Sequence, residues 1–492
     1  MNLYGLISAN ANRRDIWISD PKGEHVSYAR FFDEVELFVE ELSRNFSTGE
    51  VVVIDREKTI STVAFLFACV KLELGYCFLD RNSPIERRNA VISLVRPKAI
   101  YSDRSYGHLG YQATDLAMMG ITSTLERNRK FSGNIIYTSG STGVPKGVMV
   151  SASALAYYVD SMMDAMPTKS GTWLSISPLH FDIFQLDFFV QFARGLNIVV
   201  AESGLLPQQI MSIIKERDVS ELVVVSTILK MLSVLYPVDT EQSDSITKIY
   251  YGGEGCPIAV LNRIASIFPR ASFCQFYGPT ENTNNSTYYH FEQPRDTETG
   301  FMPLGSPLKH VRIVLVSGEG QEIVEPFVEG EITILGDQLM DGYVDLELDE
   351  HANFTVHDDG EKVYSTGDYG FVDELGLLWF RGRKDDLVKI RGNRISLQEI
   401  EANLMRCMKT SGHVLATTHE IHGFESLVAG VSSFEPIDVQ SLRNELFQYL
   451  PPYAVPERIV AIAISKVDIL STGKLDRKRF KSKILEETGE QE

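Results

Sequence analysis

The chain has no apolar stretch approaching the ~20 residues that a membrane-spanning helix needs. Its start, MNLYGLISANANRRD, carries an arginine pair after a short apolar part and lacks the long apolar core of a secretory signal. Both absences point to a cytoplasmic protein that does not act at a membrane. Cysteine is sparse: Cys69, Cys77, Cys256, Cys274 and Cys407 are scattered, odd in number and form no CxxC pair. That pattern excludes a disulfide framework or a zinc site and leaves buried or free thiols. Basic charge is also short, with 47 Lys and Arg against 66 Asp and Glu and a net charge of −19. A nucleic-acid partner needs a basic face, so none is expected. No internal repeat or long low-complexity segment occurs.

What is present is ordinary globular material, 44% hydrophobic and 23% charged. A length of 492 residues exceeds what one core usually supports, so two or more domains are expected. Phe31–Leu42 has helical apolar spacing, Val51–Ile54 is a continuous apolar run of the buried-strand type, Thr62–Leu74 reads as a helix and Tyr76–Leu79 as a strand. The rhythm returns at Ile198–Ala201, Gln208–Glu216 and Leu222–Val225. This alternation predicts a layered α/β fold with buried parallel strands. After about Phe301 the texture becomes β-rich, with short strands at Val311–Val316, Gly330–Leu335 and Leu377–Phe380. From Ser396 an α+β pattern follows: helix Leu397–Met405, strands near Val414–Thr418 and Leu427–Val431, helix Val439–Tyr449. The polar run around Lys384–Asp386 marks a boundary, giving a large domain 1–384 and a small one 385–492.

The segment NIIYTSGSTGVPKGVMVS places a strand before Thr138, Ser139, Gly140, Ser141, Thr142 and Gly143, then Lys146. Glycines let the backbone turn its N–H groups toward an anion, hydroxyls add donors and the lysine adds charge within reach of a triphosphate. A solvated hairpin would rarely combine these features. Lys146 is followed by Gly147 rather than Ser or Thr, so this is not a Walker A loop.

The loop resembles the signature of the adenylate-forming superfamily, which includes acyl-CoA synthetases, luciferases and the adenylation domains of nonribosomal peptide synthetases. Further motifs follow in family order over nearly the whole chain. The resemblance implies ATP and Mg²⁺ as cofactors. In YGPTE it implies stacking of Tyr277 on adenine beside Gly278, Thr280 at the α-phosphate, and Glu281 on the metal. These assignments suit an aromatic face, a hydroxyl donor and a hard oxygen ligand respectively. YYGGEGCP resembles the strand end along adenine, with Gly253 and Glu254. YSTGD resembles the ribose motif, where the Asp368 carboxylate would accept from a diol. FRGRKD resembles the hinge motif, with Arg383 near ribose and phosphate and Asp385 as pivot. STGKLDR resembles the segment carrying the catalytic lysine, here Lys474, which would neutralise charge as the pentavalent state forms. Read without the family, the last two segments are charged surface linkers.

HFDIFQLD places Asp182 where, in amino-acid-activating relatives, an aspartate binds the substrate ammonium. A buried carboxylate is costly without such a partner. Alignment by the motifs puts the rest of the pocket at Ile183, Leu186, Ile228, Tyr250, Gly252, Phe276, Asn284 and Asn285. No second acid stands among them, so a small or polar neutral α-amino acid is expected. The implied sequence of steps is formation of an aminoacyl-AMP with release of pyrophosphate, then transfer to the phosphopantetheine thiol of an acyl or peptidyl carrier protein. No carrier or condensation motif occurs in the chain, so the carrier is expected in trans. Lys466, Lys474, Arg477, Lys478, Arg479, Lys481 and Lys483 offer such an acidic partner a basic end. An acyl- or aryl-CoA ligase, a catalytically silent nucleotide-binding regulator and a D-alanine-activating enzyme remain open alternatives.

Overall fold

In the computed structural model, the residues described are 1–489 except 21–22, 84, 110–118, 122–129, 140–144, 203, 237–242, 296, 298, 345–352, 384–386, 391–392, 409–411, 422–423, 434–435, 451–453, 464–468 and 470–474. The apolar run at Val51 becomes the buried central strand Val51–Asp55, paired in parallel with Gly75–Phe78 on one side and Ala99–Ser102 on the other. Helix Ile60–Lys71 links the first two, capped by the Thr59 hydroxyl, which accepts from Thr62 N–H. It starts two residues before the predicted Thr62 because of that cap and stops at Lys71, where Leu72 leaves helical geometry and Glu73 takes a positive φ of 53°.

A second sheet of nine strands has a parallel centre, Ser272–Tyr277, Lys248–Gly252, Glu221–Val225, Thr172–Ser175, Asn197–Val200 and Trp17–Ser19 in spatial order. Antiparallel strands close both of its edges; in the first sheet the hairpin Gly133–Ser139/Pro145–Ser151 closes one edge and antiparallel Met119–Ile121 the other. The expected parallel strands are therefore found at the centres, and the edges depart from that expectation. Strand residues alternate faces. On Lys248–Gly252, Tyr250 enters one core cluster while Ile249 and Tyr251 enter another across the sheet. This alternation sets which side chains can reach a common pocket.

Six short strands around Val311–Val316, Gly330–Gly336 and Lys362–Val372 make the expected β-rich region. The C-terminal part pairs Gly412–Ile421 with Phe424–Ser433 and Arg458–Ala461, packed by helices Leu397–Met408 and Val439–Leu446. Its last helix, Arg477–Gly489, buries Phe480 and Ile484 against the same sheet. Helix Val439–Leu446 ends three residues short of the predicted Tyr449. The boundary 384–386 lies outside the described residues. All five cysteines are buried free thiols, as their spacing predicts. Among the described residues no helix is long and apolar enough to cross a membrane.

Candidate active site

The hairpin that carries the phosphate-type loop aligns Thr138 with Lys146 and Ser139 with Pro145. Gly140, Ser141, Thr142 and Gly143, at its tip, lie outside the described residues. Lys146 places its ammonium 5.8 Å from the Tyr343 ring centroid. The Tyr343 hydroxyl in turn donates to Glu281 Oε1 at 3.0 Å. Tyr364, the first residue of YSTGD, also bonds Glu281 and Tyr343, and burial first, then these neighbours, push its phenol well above the ordinary range. Two tyrosines thus orient the carboxylate that the sequence assigns to the metal.

Tyr277 ends strand Ser272–Tyr277, and its hydroxyl donates to Asp368 Oδ2 at 2.6 Å. The two motifs expected at adenine and ribose are therefore in direct contact across 91 positions of sequence. Glu254 follows Gly253, whose φ is +79°, and accepts from the Thr227 hydroxyl, while its carbonyl accepts from Ser226. The turn at the end of strand Lys248–Gly252 is tied by these bonds to the first turn of helix Ser226–Leu235.

Thr280 and Asp182 meet: the threonine hydroxyl donates to Asp182 Oδ2 at 2.5 Å. Asp182 is half-buried. The group expected at the α-phosphate therefore touches the group expected at the substrate amine. Gly278 makes the adjoining wall possible. A Cβ there would sit 2.2 Å from the Asn284 carbonyl oxygen and 2.7 Å from Ser286 N. Its absence lets the segment Asn284–Ser286 fold back on Tyr277, whose carbonyl accepts from Ser286 N–H. Gly278→Ala must push this backbone outward, which costs ~1–3 kcal/mol or more. The expected result is a lower unfolding midpoint together with a raised KM for the carboxylate substrate, read by exchange of pyrophosphate into ATP.

Leu186, Tyr250 and Phe276 share one core cluster, with Ile183 packed against it. Tyr250 and Phe276 stack at 5.6 Å with rings 4° apart. Gly252 adjoins them; a Cβ on it would lie 2.6 Å from the Phe276 carbonyl oxygen. Ile228, only partly buried, packs against the cluster on the other face of the sheet.

Several residues escaped the sequence reading. Tyr158, fully buried on helix Ala152–Ala165, accepts at its hydroxyl from the Asn284 and Asn285 amides at 3.4 and 3.2 Å. Gln338 holds the same loop, accepting from Ser161 and donating to the Asn285 carbonyl. Asp187, the second acid of HFDIFQLD, is structural rather than part of the pocket. It accepts from Trp173 Nε1, Ser175 Oγ and Ser177 N–H, and burial raises its pKa. Lys58 faces it, donates to the Ser175 and Ser177 carbonyls, and is depressed by burial to about 8.

The C-terminal part approaches this site at His413, on which the charges of Lys230 and Glu254 act. Burial, then Lys230, holds its pKa below the usual histidine value, outweighing Glu254. The folded form keeps His413 neutral, while the unfolded chain takes up a proton as pH falls through ~6.5. Stability should therefore decline below that pH, and His413→Gln should flatten this acid limb in urea titrations. Arg477 is paired bidentately with Glu401 at 2.9 and 3.0 Å, so it contributes less free charge to the expected basic end than its sequence suggests. Lys466, Lys474 and Asp385 lie outside the described residues, as do the side chains of Ser139 and Arg383.

Residues 132–344 match the family model of AMP-binding enzymes. Zwittermicin A synthase ZmaJ of Bacillus cereus is 29% identical over 87% of this chain and 84% of its own. The D-alanine–D-alanyl carrier protein ligase of Bacillus anthracis is 29% identical over 71% of this chain and 70% of its own. Several multimodular synthetases also match, and the chain spans only 6–8% of their length. In fold, it superposes on the O-succinylbenzoate coenzyme A synthetase of Bacillus subtilis in complex with ATP and magnesium ion, with a TM-score of 0.78, 22% identity and 98–99% coverage of both chains.

Adenylate-forming enzymes use ATP with Mg²⁺. The Glu281 carboxylate, a hard oxygen ligand oriented by the Tyr343 and Tyr364 hydroxyls, fits that ion and would hold it. Mg²⁺ is commonly held by one or two carboxylates, with waters and substrate phosphates completing its shell. The chain therefore carries an AMP-binding-enzyme segment at residues 132–344 and is similar, over most of its length, to a zwittermicin synthase and a carrier-protein ligase.

Proposed function

We propose that this enzyme activates a small or polar neutral α-amino acid to its aminoacyl-AMP and transfers it to the phosphopantetheine thiol of a separate carrier protein. The observation that carries this reading is the Asp182–Thr280 contact. A carboxylate beside the phosphate-facing hydroxyl is where an ammonium must lie if its own carboxylate is to attack the α-phosphorus. The substrate carboxylate is already an anion, so no side chain need act as nucleophile; the protein positions and neutralises. In this reading Tyr277 and Asp368 seat the nucleoside, Thr280 and Lys146 the phosphates, and Glu281 would hold the metal. Residues 1–384 form the ATP and substrate domain, and 385–492 a lid that swings about Asp385 and delivers Lys474.

ATP–pyrophosphate exchange, run with every proteinogenic amino acid in both enantiomers, tests the first step. Stimulation by fatty or aryl acids alone would remove the reading. Acyl transfer assayed with a phosphopantetheinylated carrier and with free coenzyme A separates a carrier ligase from the second reading, an acyl-CoA ligase. The superposition on the coenzyme A synthetase keeps that second reading in view.

A further inference from the structure

Asp182 sits midway along a loop whose two ends are tied together. Ser177 stands five residues before it and Asp187 five residues after it. The Asp187 carboxylate accepts from Ser177 N–H at 3.3 Å and from the Ser175 hydroxyl at 2.8 Å. Between those ends the backbone closes on itself in short turns. Phe181 N–H donates to the Pro178 carbonyl, Gln185 N–H to the Asp182 carbonyl and Asp187 N–H to the Ile183 carbonyl. A segment so bonded moves as one piece, and the place of Asp182 follows from where its ends are held.

One anchor comes from the other sheet, just beyond strand Val51–Asp55. The Lys58 ammonium donates to the Ser175 carbonyl at 3.0 Å and to the Ser177 carbonyl at 2.8 Å, with the Phe188 ring centroid 5.7 Å away. The backbone around Lys58 is itself fixed, because the Thr62 hydroxyl donates to the Glu57 carbonyl and Thr59 caps helix Ile60–Lys71. Among the described residues Asp187 is the charged group that acts on Lys58. Its sequence neighbours turn elsewhere, Arg56 to the Tyr101 ring and Glu57 to Arg81. The ammonium thus offsets a buried carboxylate that would otherwise be stranded. We propose, resting on the amino-acid reading above, that Lys58 is a positioning residue for substrate recognition. By holding the Ser175 and Ser177 carbonyls and facing Asp187, it sets where the Asp182 carboxylate meets the substrate ammonium. It acts through the loop rather than on substrate.

Burial depresses Lys58 to about 8, so its charge is present below that pH and lost as pH rises through it. Asp187 then loses its countercharge. The test is ATP–pyrophosphate exchange with the full chain, varying amino acid and ATP in turn on either side of that pH. Lys58→Met, close in length but uncharged, should raise KM for the amino acid by ~10-fold or more, within the ~10²-fold that a misplacement of ~1 Å costs. KM for ATP should not change, and Lys58→Arg should restore the amino-acid KM. In the wild type that KM should rise as pH passes 8, and the rise should be absent from both variants, since neither side chain titrates there. The substrate's own amine titrates alike with all three enzymes and drops out of the comparison. Where one variant does not fold, the other carries it. A wild-type KM that stays level through pH 8, or rises there equally in a variant, overturns the proposal. So does a Lys58→Met enzyme with the wild-type KM, or one in which both KM values rise together, the mark of a merely structural lysine. Exchange stimulated by no amino acid at all would instead sink the reading on which it rests.

Discussion

Asp182→Asn should raise the KM for the amino acid by ~10²–10³ while leaving the KM for ATP close to that of the wild type. The substitution keeps size and the hydrogen bond from Thr280 but removes the charge that an ammonium would meet. Breaking a desolvated charge pair costs ~3–5 kcal/mol. At 1.4 kcal/mol per decade this corresponds to ~10²–10³ in affinity. The nucleotide side should survive, because the Tyr277–Asp368 and Tyr343–Glu281 contacts do not involve Asp182. Exchange kinetics with each substrate varied in turn read both constants. An unchanged amino-acid KM would mean that the carboxylate only braces Thr280.

Arg194→Ala should lower stability by ~3–5 kcal/mol, the penalty for stranding a buried charge. The guanidinium lies wholly inside, donating to both oxygens of Glu221 at 2.9 and 3.1 Å and to Gln191 and the Thr168 carbonyl. Without it Glu221 keeps, among the described residues, the Tyr250 hydroxyl, which donates to it at 3.2 Å. Replacing both, Arg194→Met with Glu221→Leu, should recover much of the loss, since a buried ion pair often gains little over apolar packing. Urea denaturation of the singles and the double gives the coupling directly. Because Tyr250 also stacks on Phe276, the single variant should blunt substrate selection as well as stability. Equal destabilisation by the single and double changes would mean that packing, not charge, sets the cost.

The central strands and most helices were legible because apolar runs and 3.6-residue spacing are local signals. The helix through Phe31 and the strand at Val311 emerge where the pattern places them. The motif residues were legible as chemistry but not as geometry. Nothing near Asp182 in sequence announces Thr280, 98 positions away. Tyr158 was invisible because a tyrosine at helical spacing is usually core, and only its two asparagine partners distinguish it. Asp187 was quoted within its segment yet had no role until Trp173 and Lys58 were seen beside it. The facing of Ile228 was not legible, because it depends on how a strand hands over to a helix, which no motif defines.

The hydrogen bond between Thr280 and Asp182 also carries a thermodynamic consequence. While the hydroxyl is engaged by the carboxylate it is withheld from phosphate, and an arriving ammonium competes for the same oxygen. Filling either subsite therefore alters the other's free energy of occupancy, and linkage requires the effect to be equal in both directions. The two substrates should not bind as strangers. Whatever factor the amino acid imposes on the dissociation constant of ATP, ATP must return on that of the amino acid, and calorimetric titrations in the two orders should close the same cycle.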